Sequence, residues 1–350
     1  MNEKKRLDYI DIAKGFALLL VIFGHTFRDS MRSTYFWCGF SYSFVYRFHV
    51  SLLFLLSGMS LSVAGSTQRP FGDFFAKRVK GVLLPWFTYS VLIYLLFALA
   101  WLIPPVKQLL SGTSYTLISP FAYLTDMLKN ENPYSFHLWH LLTLFLFDAF
   151  AYVLDRIQNE RVCRTVKFAL IAVLPAVYSL FCTGFVWTFK SFFQQLIFFL
   201  AGTLLTDGFV THNAKKLAIL GIPGGAYVVF ALLAPVSPLY ELPVVGLLLG
   251  YAETAAIIFF CIGITAFFVL TSKHFSVLAS FGRHTMPYYL YHQPFCCAFL
   301  GIVLYDRLAL PAWLTVICCM FAGMAIPWLI IRLAKSLRAD KIMTKLGLPV

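Results

Sequence analysis

Ten stretches of mostly apolar residues divide the chain, at 9–27, 44–64, 82–103, 135–153, 167–184, 191–206, 217–234, 244–270, 285–304 and 313–333. A helix needs about 20 apolar residues to cross the hydrocarbon of a bilayer, and each stretch approaches that length. The pattern predicts an all-α polytopic membrane bundle of about ten transmembrane helices, forming one domain over residues 1–350. The fourth stretch opens on Ser135, His137 and His140 and ends near Asp148. No internal repeat at a fixed period, low-complexity tract or second, water-soluble domain is read along the chain. The longest connection, 104–134, holds Pro104, Pro105, Tyr115, Tyr123 and Tyr134. Loops of that length tend to be functional or disordered.

The polar connections differ in charge. With the amino terminus in the cytoplasm, twenty Lys and Arg fall in cytoplasmic connections and tails and seven fall outside, with Lys14 within the first helix. Basic residues collect on the cytoplasmic face of membrane proteins, so both termini are expected there and the number of crossings is even. Lys4, Lys5 and Arg6 before the run Phe16–Phe23 resemble a signal peptide. No small-residue cleavage site follows, however, and Asp11 and Lys14 interrupt the segment.

Composition supports the membrane reading and removes its rivals. The chain is 60% hydrophobic and 12% charged, with mean hydropathy +0.79, against roughly 25% charged residues in soluble domains. A water-soluble surface needs more polar cover than that. The formal net charge of +13 would suggest nucleic acid in a soluble protein. Here the asymmetry between the two faces accounts for it, and no nucleic-acid partner is expected. The eight cysteines form no C-x-x-C pattern, and the pairs Cys296–Cys297 and Cys318–Cys319 lie in apolar runs. They read as small hydrophobes, giving neither a disulfide framework nor a metal site.

Polar groups within a membrane are costly and so ask for a reason. At 100° per residue, Asp11, Lys14 and His25 share one face of the first helix, with Lys14 and His25 separated by about 16 Å along the axis. Asp11 and Lys14 are three apart and able to pair. Two roles fit: Lys14 snorkelling with His25 at a helix end among headgroups, or an imidazole set for general acid–base work. His49 opens the second helix at a depth matching His25, and Ser57 and Gly58 suit close helix packing. Lys77, Arg78 and Lys80 form a basic stretch before Pro85. It suits either an anchor on anionic lipid or a site for a phosphorylated cofactor. Glu253 lies mid-helix and requires an interior partner or a proton. His137, His140 and His292 read as isolated packing residues, because a metal cluster would require them to converge.

Asp11-Ile-Ala-Lys14-Gly running to Gly24-His25, Phe48-His49 through Leu56-Ser57-Gly58, the basic stretch before Pro85, and Tyr288-Tyr-Leu-Tyr291-His292-Gln-Pro294 together resemble the acyltransferase-3 family of integral membrane O-acyltransferases. These blocks run from the first to the ninth stretch. The resemblance implies acyl transfer, acetyl above all, from cytoplasmic acyl-CoA to a hydroxyl of a cell-envelope carbohydrate, with no metal. It also implies a multi-pass location in the inner (plasma) membrane. His25 matches the family's essential histidine, Lys14 stands where an arginine is common, and Lys77, Arg78 and Lys80 correspond to its basic patch. Gly81 departs from the R-x-x-R form, which puts bidentate phosphate recognition in doubt. On this reading acyl-CoA lies along the first helix, with Asp11 and Lys14 beside it. His25 deprotonates the acceptor, with an acyl-histidine as the second variant. Glu253 and His49 are the candidates for orienting the imidazole, and the 104–134 loop with the His137/Trp139 edge is the candidate surface for sugar rings. A transporter or flippase of a lipid-linked glycan is the alternative function. The paired, interrupted halves common in transporters are not seen here. A sensing domain fused to a racemase or esterase is disfavoured because no extra soluble segment is found.

Overall fold

The computed structural model describes residues 7–132, 134–182, 184–233 and 242–350. Lys4, Lys5 and Arg6, the basic residues before the first apolar run, lie outside the described residues. Among those described there is no β-strand, and the chain is a polytopic all-α bundle. Ten principal helices coincide with the ten apolar stretches. They are α1 (Asp8–Gly24), α2 (Phe36–Val63), α3 (Leu84–Trp101), α4 (Trp139–Leu154) and α5 (Glu160–Phe181), followed by α6 (Trp187–Leu204), α7 (Ala214–Leu233), α8 (Pro243–Thr271), α9 (Thr285–Tyr291) and α10 (Ala312–Ser336).

Seven helical segments among the described residues are long and apolar enough to cross a membrane. Helices α1, α6 and α9 are not among them. Helix α1 has 17 residues and buries most of its length in the bundle. The ninth stretch departs most from expectation. In place of one helix over 285–304, α9 stops at Tyr291 and the chain resumes in wide turns over Phe295–Phe299 and Ile302–Arg307. Pro294 has no N–H to give, so the ladder cannot run through it. Breaks of this kind inside helices are frequent at functional sites.

Small residues bring the helices of the site together. An added Cβ on Gly58 would lie 2.1 Å from the Phe199 carbonyl oxygen, and one on Gly202 would lie 2.0 Å from that of Leu55, so α2 and α6 meet backbone to backbone. Gly15 and Gly282 do the same for α1 and the short helix Ser276–Arg283. In lipid, where apolar burial gives no preference for helix over tail, such close packing carries association. All eight cysteines are free, and all but Cys318 are buried.

The connection 104–134 is not an open loop. It folds into the helices Pro104–Leu110 and Pro120–Lys129 and packs downward onto the bundle. Tyr123 donates to the Ser90 carbonyl at 2.7 Å, Tyr134 stacks near Phe97 with centroids 4.3 Å apart, and the Arg307 guanidinium grips the carbonyls of Leu109 and Ser111 at 2.7 and 2.9 Å. Tyr123 and Tyr134 are buried, so these rings are committed to packing and do not present faces to a sugar.

Candidate active site

His25 follows the last turn of α1 and is half-buried, its backbone N–H still bonded to the carbonyls of Val21 and Ile22 at 3.1 Å. Gly24 before it leaves room for a neighbour: a Cβ there would lie 2.8 Å from the ring of Tyr46. Tyr46 therefore lies against the end of α1, and its hydroxyl is 3.3 Å from His25 Nδ1. On the other side stands His292, with ring centroids 5.3 Å apart.

The last turn of α9 sets the state of His292. Its Nδ1 lies 3.1 and 2.8 Å from the carbonyl oxygens of Tyr288 and Tyr289, which only accept, so Nδ1 carries the proton. Nε2 is then a bare acceptor, buried and without a partner among the protein atoms. His49 is held in the same way, with Nδ1 donating to the Val45 carbonyl at 2.6 Å. His137, expected on an outward edge, is buried and packs 5.7 Å from His292. The histidines read from the sequence as isolated thus converge. Among the described residues, however, no group of three or more histidine, cysteine or acidic side chains is arranged to hold a metal ion.

A continuous row of rings crosses this centre. His140 lies 5.4 Å from Tyr289, Tyr289 5.9 Å from His292, His292 5.3 Å from His25, and His25 6.1 Å from Tyr46. Each end of the row faces a cavity. His140 and Tyr289 line one of about 310 Å³ that also contains Asp11, Lys14, Ser57 and Arg283. Tyr46 lines another of about 510 Å³, between α2, α5, α6 and α8. The first cavity lies toward the end of the bundle where α1 begins, called here the near end.

Of the expected phosphate-site residues, Lys14 reaches that near-end cavity, its ammonium donating to Ser60 Oγ at 2.7 Å. Asp11 is buried beside it. Arg78 turns inward and pairs with the buried carboxylate of Asp148 at 3.3 Å, within electrostatic reach of Lys14. Lys77 and Lys80 stay on the exposed surface of the near end. Glu253 is placed apart from the imidazole it was a candidate to orient: its carboxylate pairs with the guanidinium of Arg47. Nor does His49 offer a hydrogen bond to His25, since its donor is spent on its own helix. Sequence reasoning missed Tyr46 and Arg283. Tyr46 was legible only as a tyrosine one helical turn before His49, and Arg283 only as one more cation of a connection.

The sequence profile of the acyltransferase-3 family, described as an acyltransferase domain, matches residues 7–332. The chain belongs to the acyltransferase-3 family. Comparison with curated proteins and with solved structures finds no match. The matched stretch of this acyltransferase begins just before α1 and ends within α10, so it contains both cavities and the row between them. What the acyltransferase holds at its centre is a set of imidazoles, two of which, His49 and His292, have their tautomers fixed by backbone carbonyls. If His25 Nδ1 donates to Tyr46, its Nε2 is free to take a proton, which is the arrangement a general base needs.

Proposed function

We propose that the protein transfers an acyl group, acetyl in the simplest case, from acyl-CoA to a hydroxyl of a cell-envelope carbohydrate, with His25 as general base. In this reading the near end and both termini face the cytoplasm, ten segments cross the inner (plasma) membrane, and the donor enters from the near end. The carrying observation is the row of rings, which joins His25 to a cavity lined by Lys14 and Arg283.

Coenzyme A joins an anionic phosphoadenosine end to a thin arm ending in the thioester. Lys77, Lys80 and Lys14, with Arg283, supply positive charge for the phosphates, while Arg78 is committed to Asp148. Asp11 tempers that charge at the cavity wall. The arm then has about 16 Å to cover from Lys14 to His25, as set by the rise of α1. At His25, Nε2 removes the acceptor's hydroxyl proton as the oxygen attacks the thioester carbonyl. The C–S bond breaks, and the leaving thiolate takes the proton back from the imidazolium. An acyl-histidine is the second form of the same chemistry, with Nε2 itself as the nucleophile.

Purified protein in vesicles, given radiolabelled acetyl-CoA, tests the claim. General-base contributions are about 10²–10⁴-fold, so His25→Ala should lose at least about 100-fold of transfer while folding normally. Normal turnover in a folded His25→Ala protein would remove the imidazole from the reaction. Acyl-CoA cleavage that depends on His25 also separates this function from glycan transport without chemistry.

A further inference from the structure

We infer that the cavity of about 510 Å³ between α2, α5, α6 and α8 is the acceptor site, and that it takes an uncharged, hydroxyl-rich ring such as the end of a neutral glycan. The inference rests on the acyl-transfer reading and adds to it where the acceptor binds and of what class it is.

Three observations carry it. The cavity adjoins the reacting centre through one residue: Tyr46 lines it and is 39% exposed, while its hydroxyl lies 3.3 Å from His25 Nδ1. A ligand here thus meets Tyr46, the residue whose hydroxyl reaches His25, at the opposite end of the row of rings from the cationic near-end cavity. Second, the cavity's charges cancel. Arg47 and Glu253 pair within its wall, which among the described residues leaves no uncompensated cation there for a phosphate or carboxylate ligand. Third, the remaining wall is rich in groups that both donate and accept. Gln194 and Gln195 line it, and Gln195 Oε1 accepts from Ser51 Oγ at 3.1 Å, which leaves the carboxamide NH₂ as a donor in the cavity wall. An acyl chain would need an apolar lining and would leave these groups unpaired. Hydroxyls of a sugar satisfy carboxamide, guanidinium and carboxylate together. Polar residues within apolar helices mark substrate paths, and this set has no other visible use. The alternative surface over 104–134 has its tyrosines Tyr123 and Tyr134 buried in packing.

The test uses the whole protein in vesicles, radiolabelled acetyl-CoA, and the envelope glycan fraction of the producing cell as acceptor. Organic-solvent extraction afterwards separates label on lipid-linked glycan from label on free polysaccharide, which identifies the source of the ring. Gln194→Ala and Glu253→Gln should each lower label on glycan at least about tenfold, as expected when a site's hydrogen bonds to its substrate are removed. Acetate release to water in the absence of glycan should stay within twofold of wild type. The Gln194→Ala change leaves the Arg47–Glu253 pair intact, so a folding defect confined to the ion pair does not decide the outcome. Glycan labelling at wild-type level in both variants overturns the assignment. A parallel fall in acetate release overturns it too, because the residues would then serve the donor or the fold. Failure of the acyl-transfer reading looks different: wild type and His25→Ala would release the same acetate and label no glycan.

Discussion

Helix α1 is held where it is by a contact that tolerates no side chain. A Cβ added at Gly282 would lie 1.7 Å from the carbonyl oxygen of Asp11 and 2.5 Å from its carbon, half and three quarters of the ordinary 3.4 Å. Both atoms are backbone, so no rotamer change relieves the clash, and Gly282→Ala must push α1 away from Ser276–Arg283 by more than 1 Å. Overpacking of this kind costs about 1–3 kcal/mol, and the absence of a yielding side chain places it at the upper end. The displaced atoms bound the near-end cavity, which Asp11, Lys14, Gly282 and Arg283 all line. A misplacement of about 1 Å near reacting groups costs on the order of 10²-fold, so kcat/KM for acetyl-CoA should fall by about 10- to 100-fold. Thermal unfolding in detergent, together with vesicle assays at varied acetyl-CoA, measures both effects. Gly208→Ala serves as the control, since nothing lies within 4 Å of its added Cβ. If Gly282→Ala matches that control in stability and in kcat/KM, the close approach of α1 is not what positions the cavity.

Further outcomes follow from the same geometry. Arg78→Gln strips the buried Asp148 of its ion-pair partner and should destabilise the protein by about 3 kcal/mol, with Asp148→Asn in the same chain recovering most of the loss in a denaturation series. Lys77→Glu with Lys80→Glu, which leaves that pair in place, should raise KM for acetyl-CoA, and added salt should shrink the difference between variant and wild type. An unchanged KM would reassign the two lysines to lipid anchoring. Tyr46→Phe removes one hydrogen bond to His25, typically about 1 kcal/mol, and should lower kcat about fivefold with little change in KM for the donor. A wild-type kcat in Tyr46→Phe would detach the phenol from the chemistry.

Much of the bundle was legible along the chain, and the exceptions have local causes. Nine of the ten apolar stretches each hold one long helix, because hydrocarbon thickness and the 1.5 Å rise impose a length that a window of sequence reveals. The ninth failed as a single helix at Pro294, whose presence was visible but whose neighbours' use of the gap was not. The carbonyls of Tyr288 and Tyr289 in the last turn of α9 became the anchors of the His292 ring. His25 was legible as a polar group at the end of an apolar helix, and Lys14 and Asp11 as its companions on one face. The link from Glu253 to Arg47 was not, since 206 positions separate them and either could have met another charge.

By itself, then, the amino-acid order determined the solvent this chain lives in, the approximate positions of most of its helices, and which of them carry costly polar groups. Those are properties of single segments, set by hydropathy and backbone geometry. The tertiary structure alone decided which faces meet: that three histidines read as isolated gather near His25 and His49, that Tyr46 and not Glu253 touches His25, and that the aromatic loop closes onto the bundle. Such pairings depend on steric fit between segments far apart in the chain, with Gly24, Gly58 and Gly282 permitting approaches that no pattern within one helix encodes.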